Sequence, residues 1–170
     1  MPDIDETQRA GEAPAAYVLR LAVEKAHAVP APDEAVVIAA DTTVDLGGLV
    51  LGKPVDSAEA GAMLRRLSGR THRVHTGVAV RRGRRTLSEV STSLVTFGVL
   101  SEELIQWYLA TEEPFDKAGG YAIQGAGSAL VLRVTGSVSG IIGLPLPTVA
   151  RLAAELGVEL FGQRSAWMSS

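Results

Sequence analysis

The stretch AVVIAADTTVDLGGLVLGKP, residues 35–54, limits the fold more than any other. Its first six residues form a short continuous apolar run, the pattern of a strand covered on both faces. The run ends on Asp41. In open α/β sheets ligands bind beyond the carboxyl ends of the strands, so an acid there is well placed for a site. TTVDL and LVLG then flank Gly47-Gly48, which predicts a hairpin. The hairpin brings the chain back to Lys53, beside Gly52 and Pro54. Two readings follow. Asp41 and Lys53 are solvated turn charges, or they face one another across a site.

The remaining segments surround this strand with helices and further strands. Pro14 suits a first helical position, and Val18, Leu21, Ala22, Lys25, Ala26 and Val29 share one helical face. That spacing predicts a helix over 14–29 and puts Lys25 on or beside the apolar stripe, either snorkelling or aimed into a pocket. Asp56 or Ser57 caps a second helix that runs to about Leu67 and stops at Gly69. THRVHTGVAVRR and RTLSEVSTSLVTFGVL alternate as strands around Gly83, with Arg81, Arg82, Arg84 and Arg85 at a solvated tip. Ser101 caps a helix to about Ala110. The Gly-rich stretch TEEPFDKAGGYAIQGAGS reads as a loop broken by a short strand at 121–124. ALVLRVTG reads as a strand, SVSGIIGLPL as its extension or a turn away from it, and PTVARLAAELG as a closing helix. Strands and helices alternate with inserted hairpins, so the fold class is α/β with a mixed sheet. The length of 170 residues suits a single domain, assigned to 1–161, with 162–170 as a flexible tail.

Several function classes fall away. There is no cysteine, which excludes disulfides, a thiolate nucleophile and Cys-ligated zinc and is compatible with the cytoplasm. A net charge of −3 argues against a nucleic-acid binder that relies on a basic surface. No apolar run approaches the roughly 18 residues of a membrane span. The opening MPDIDETQRAGE is acidic and polar, unlike a secretory signal. His72 and His75, three apart on a strand, fall on opposite faces and cannot easily share a metal.

What remains is a set of carboxylates, lysines and amides near glycines or strand ends: Asp5, Glu6, Asp41, Thr42, Lys53, Asp116, Lys117 and Gln124. Hard oxygen ligands suit Mg²⁺ or Mn²⁺, which bridge carboxylates and substrate phosphates. Lysines bind phosphate oxygens, and an aspartate can take a proton from water. From residue types alone, phosphate-ester or phosphoanhydride chemistry stands beside the plainer reading of loop and cap residues.

The motifs DIDET, YVLRLAVEKA, AADTTVDLGGLVLGKP, MLRRLSGRTHRVHTGVAV, DKAGGYAIQG and IIGLPLP occur in an order that resembles the Maf family, from near the first residue to about Gly157. The resemblance implies an elongated α/β fold with a central mixed β-sheet flanked by helices, related to that of the inosine triphosphate pyrophosphatases. It implies metal-dependent hydrolysis of a nucleoside triphosphate to the monophosphate and pyrophosphate, with Mg²⁺ or Mn²⁺ as cofactor. By motif, Asp41 resembles the proton acceptor for the attacking water. Lys25, Lys53 and Lys117 match lysines at the site, with phosphate binding as the implied role. Asp5 resembles an acidic site position and Glu6 lies beside it; either is a candidate to help hold the metal, together with Asp41. Thr42 and Gln124 match positions tied to base choice, and the YAIQG form resembles the branch acting on dTTP and UTP. An amide can both donate to and accept from a pyrimidine edge, whereas the glutamate of the 7-methyl-GTP branch only accepts. The resemblance allows a homodimer; composition and charge set the expectation of a cytoplasmic protein without nucleic-acid or membrane partners.

Family members also open with a strand and an S-x-S-P-R-R loop some tens of residues ahead of the acidic motif. Here the acidic motif follows Met1 almost directly. Three accounts are open: a longer natural start, a shortened relative that binds nucleotide weakly or not at all, and an active chain with a rearranged or assisted site. The family was first linked to inhibition of septum formation. The alternative function is therefore a catalytically weak or inactive binding protein acting in cell-division control.

Overall fold

The structure is a computed structural model that describes residues 4–161. The tail assigned to 162–170 lies outside the described residues. The elements run α1 (Pro14–Ala28), β1 (Val36–Leu46), β2 (Leu49–Leu51), α2 (Ser57–Leu67), β3 (Thr71–Arg82), β4 (Arg85–Phe97) and α3 (Glu102–Leu109). Three 3-10 turns follow, at Glu113–Asp116, Ala118–Gly120 and Gly125–Leu130. The chain then closes with β5 (Val131–Thr135), α4 (Val138–Ile142) and α5 (Leu146–Glu155). No helix among the described residues is long and apolar enough to cross a membrane.

One five-stranded sheet in the order β2-β1-β3-β4-β5 carries the helices, in keeping with the α/β class. Every pairing among the described residues is antiparallel, so the parallel neighbours that a mixed sheet requires are not among them. β1 does not stop at Asp41. It continues to Leu46 and pairs with β3 from Val36 to Asp45. β2 covers only Val44, Asp45 and Leu46, and no strand among the described residues pairs with the other edge of 36–43. That open edge explains why the apolar run is half-buried rather than sealed, while β3, paired on both sides, is buried almost throughout.

The two faces of the sheet are filled differently. On one face Ala22 and Ala26 of α1 pack on Ala79, with Val37 and Ala39 beside them. On the other, Val149, Leu152 and Ala153 of α5 pack on Val78 and Val80. Further along, Leu64, Leu67, Ile105, Tyr108 and Tyr121 close over Val44, Val74, Val95 and Phe97. Gly77 makes the close α1 contact possible. A Cβ there would lie 2.3 Å from the Val18 carbonyl oxygen, inside any allowed contact.

Local signals set the helix ends. Asp56 accepts from the Glu59 N–H and Ser101 from the Leu104 N–H, satisfying donors that a helix start leaves free. Three segments depart from expectation. The stretch 121–124 forms no strand but an irregular link between the 3-10 turns at Ala118–Gly120 and Gly125–Leu130. These are pinned by Glu113, which accepts from the Ala126 and Gly127 N–H groups, and by the Tyr108 hydroxyl, which accepts from the Ala122 N–H. SVSGIIGLPL holds a short helix, α4, capped by Ser137. At the β3–β4 tip only Arg84 and Arg85 are exposed. Arg81 donates to the Ala26 and Val29 carbonyls and Arg82 to the Leu156 carbonyl, so two guanidinium groups tie the tip to the ends of α1 and α5.

Gly77→Ala should destabilise the fold by about 1–3 kcal/mol through overpacking. Gly52→Ala, where a Cβ meets nothing within 4 Å, should stay within about 0.5 kcal/mol of the unaltered chain. Urea unfolding midpoints of the two variants check the difference, and equal midpoints would refute the close-approach account.

Candidate active site

The open edge of β1 borders a cleft of about 580 Å³, within the range of small-molecule sites. Successive strand residues point to opposite faces, so Asp41 and Thr42 approach this cleft from the two sides of the sheet. Asp41 lies opposite Gly77, under α1; Thr42 lies opposite Thr76, under α4. The unpaired edge lets one cleft reach both.

On the α1 side the site is a charge cluster. Lys25 Nζ donates to Asp41 Oδ1 at 2.6 Å and lies 2.8 Å from Glu6 Oε1. The Lys25 and Asp41 side chains are each only 14% exposed. Lys25 therefore points into the pocket rather than snorkelling. Tyr17 also lines the cleft, and its hydroxyl donates to the Glu6 backbone carbonyl at 2.9 Å. The residue types alone did not suggest Tyr17. Its signal was the spacing Tyr17, Leu21, Lys25, each four apart and so on one helical stripe.

Lys53, on the return from the hairpin, and Lys117 line the same cleft, as do Thr42 and Gln124. Lys53 sits close enough to Asp41 for its charge to pull the carboxyl down. Lys117 Nζ is paired with Asp116 Oδ2 at 2.5 Å, and both are substantially exposed. Glu6 joins this group, whereas Asp5 does not line the cleft. Its carboxylate accepts from the Thr7 N–H at 2.9 Å, and the Thr7 side chain first, then this N–H, holds its pKa below the usual aspartate value.

Electrostatics distinguish Asp41 from the other acids. Burial pushes its carboxyl above the ordinary aspartate value, and the ammonium groups of Lys25 and Lys53 offset this only in part. Burial disfavours the Lys25 ammonium as well, but the Asp41 and Glu6 carboxylates outweigh it and hold Lys25 above its usual range. His72 and His75 are spent on structure. His75 bridges Thr92 and Asp45, and His72 bonds the Tyr121 hydroxyl, with burial lowering its pKa to about 4.

Glu6 and Asp41 already converge on one positive charge, the Lys25 ammonium. Two hard oxygen donors fit a divalent cation that completes its shell with water and phosphate oxygens. Among the described residues no group of three or more His, Asp or Glu side chains is placed to hold a metal. A cation here would therefore depend on the substrate's own oxygens.

Residues 1–156 match the family described as Maf-like protein. A dTTP/UTP pyrophosphatase of Myxococcus xanthus is 55% identical over 159 residues, covering 93% of this chain and 81% of the relative. One of Cereibacter sphaeroides is 52% identical, covering 94% of this chain and 83% of the relative. One of Symbiobacterium thermophilum is 46% identical, covering 95% and 84% respectively.

The sign of the Asp41 shift gives a test. A folded carboxyl that binds its proton more tightly than the unfolded one stabilises the fold less as pH rises from the ordinary aspartate value through the raised folded value. An NMR titration of the Asp41 carboxyl should give a midpoint above the unfolded value of about 3.9. In Lys25→Met it should move higher still. A midpoint at or below the unfolded value in the unaltered chain would refute the burial argument.

Proposed function

The chain belongs to the Maf-like protein family, and on that premise we propose that it hydrolyses dTTP and UTP to the nucleoside monophosphate and pyrophosphate. The observation that carries this reading is the meeting of Asp41 with Lys25, Lys53 and Lys117 around one cleft that Thr42 and Gln124 also line. Relatives named dTTP/UTP pyrophosphatase, at about half identity over most of their length, support the same substrate.

The chemistry follows from the charges. Asp41 accepts a proton from water as the water oxygen attacks the α-phosphorus. The α–β phosphoanhydride bond breaks and pyrophosphate leaves. A base with a raised pKa binds the transferred proton more firmly than an ordinary aspartate and so suits this step better. Lys25 orients the Asp41 carboxylate through their 2.6 Å hydrogen bond. Lys53 and Lys117 face phosphate oxygens and the charge that develops on the leaving pyrophosphate. Lys117 must exchange Asp116 for phosphate, which is cheap because that pair is exposed. Glu6 and Asp41 would hold the divalent cation, Mg²⁺ or Mn²⁺, and Asp5 lies nearby in sequence as a third acid. The cation would supply positive charge to the triphosphate. Thr42 and Gln124 address the pyrimidine, and the cytoplasm, where nucleotide pools lie, is the proposed setting.

Pyrophosphate release with Mg²⁺ or Mn²⁺ should be faster from dTTP and UTP than from CTP or 7-methyl-GTP. Asp41→Asn should lower it by about 10²- to 10⁴-fold, the usual contribution of a general base. An unchanged rate in Asp41→Asn would sink the assignment of Asp41 as the base.

A further inference from the structure

We propose that Thr76, a fully buried residue, tunes the pyrimidine preference of the cleft by fixing the direction in which the Thr42 hydroxyl points its proton. The inference rests on the dTTP/UTP reading and adds to it a residue that does not line the cleft.

Thr76 Oγ1 donates to the Gly140 carbonyl at 2.7 Å, and Thr76 is 0% exposed. A hydroxyl has a single proton to give. The 2.8 Å contact between Thr42 Oγ1 and Thr76 Oγ1 must then run from Thr42 to Thr76. Thr42 has spent its own proton on Thr76 and presents only lone pairs to the cleft that it lines.

The Gly140 carbonyl is held in place. Gly140 lies in α4, whose start is clamped at Ser137. The Ser137 hydroxyl accepts from the Gly140 N–H, and the Ser93 hydroxyl accepts from the Ser137 N–H and donates to the Ser137 carbonyl. A Cβ on Gly140 would crowd Ser91 Oγ at 3.1 Å, so α4 lies close against β4. Turning the Thr76 proton toward Thr42 would give up the buried Thr76–Gly140 bond, which holds the polarity one way.

An acceptor without a proton discriminates between pyrimidines. Thymine and uracil carry an N3–H, which can donate to Thr42. Cytosine has a bare N3 lone pair and would meet Thr42 lone pair to lone pair. Gln124 cannot make this distinction by itself, because its amide offers both a donor and an acceptor. The buried chain from Gly140 through Thr76 to Thr42 supplies the missing sign.

The test compares kcat/KM for dTTP and dCTP in the unaltered chain, Thr76→Val, Thr76→Ser and Thr42→Val. In Thr76→Val the Thr42 proton is freed, and the dTTP-to-dCTP ratio should fall by about 3- to 10-fold, the worth of one neutral hydrogen bond. Thr76→Ser restores the hydroxyl and should restore the ratio. An unchanged ratio in Thr76→Val, or an equal loss in Thr76→Ser, overturns the proposal. An unchanged ratio in Thr42→Val overturns it at its other end. Should Thr76→Val not fold, a pyrimidin-2-one nucleotide, with a bare N3 and no 4-substituent, decides on the unaltered chain. Rejection comparable to dCTP supports an acceptor-only Thr42, and turnover comparable to dTTP overturns it. If the chain hydrolyses none of these, the proposed function fails separately, and calorimetric binding of dTMP against dCMP carries the test. Tighter dTMP binding that narrows in Thr76→Val supports the chain of hydroxyls, and equal binding of the two in the unaltered chain overturns it.

Discussion

The hydrogen-bonded ion pair between Lys25 and Asp41 joins the layers on which the rest of the site depends. It exists because α1 can lie directly on the sheet, and α1 can do so because Gly77 has no Cβ to meet the Val18 carbonyl. Gly77 is also the register partner of Asp41, so this close helix–sheet approach and the proposed base occupy adjacent strands at one level. Two helical turns beyond Val18, Lys25 arrives over the carboxylate. Glu6 reaches the same ammonium from the segment ahead of α1, and Tyr17 fastens that segment by its backbone carbonyl. One glycine thus couples the packing of a helix to the charge state of the cleft.

The second constraint is the unpaired edge of β1. A strand neighbour on both sides would seal residues 36–43 as β3 is sealed, and consecutive residues would then open onto separate faces. With the edge bare, the alternation of Asp41 and Thr42 becomes a division of labour. Charge chemistry lies toward α1, and the hydroxyl chain through Thr76 lies toward α4. The cleft bends around the strand and joins the two.

Much of this was legible in the residues. Helix ends followed from Asp56 and Ser101, whose side chains bond N–H groups three positions on, a purely local relation. The Gly47-Gly48 hairpin was likewise local, and the register Leu46↔Leu49 agrees with it. Seven of the eight residues named as site candidates line the cleft, and motif order, rather than composition, singled them out. What was not legible depends on partners distant in the chain. The end of β1 was misplaced because its continuation through Asp41 rests on pairing with β3, some thirty residues on. The 3-10 turns around Gln124 are set by Glu113 and Tyr108. Arg81 and Arg82 at the β3–β4 tip are tied down by helix ends that no local pattern announces. Thr76 carried no signal, since a threonine in an alternating strand reads as ordinary packing.

The central claim is that Asp41, held by Lys25 at the open edge, directs water onto the α-phosphorus. Hydrolysis of dTTP in isotopically labelled water, followed by mass spectrometry of the products, tests it most directly. The account predicts that the labelled oxygen appears in dTMP and not in pyrophosphate. Label in pyrophosphate would mean attack at the β-phosphorus and would contradict the placement of substrate on Asp41.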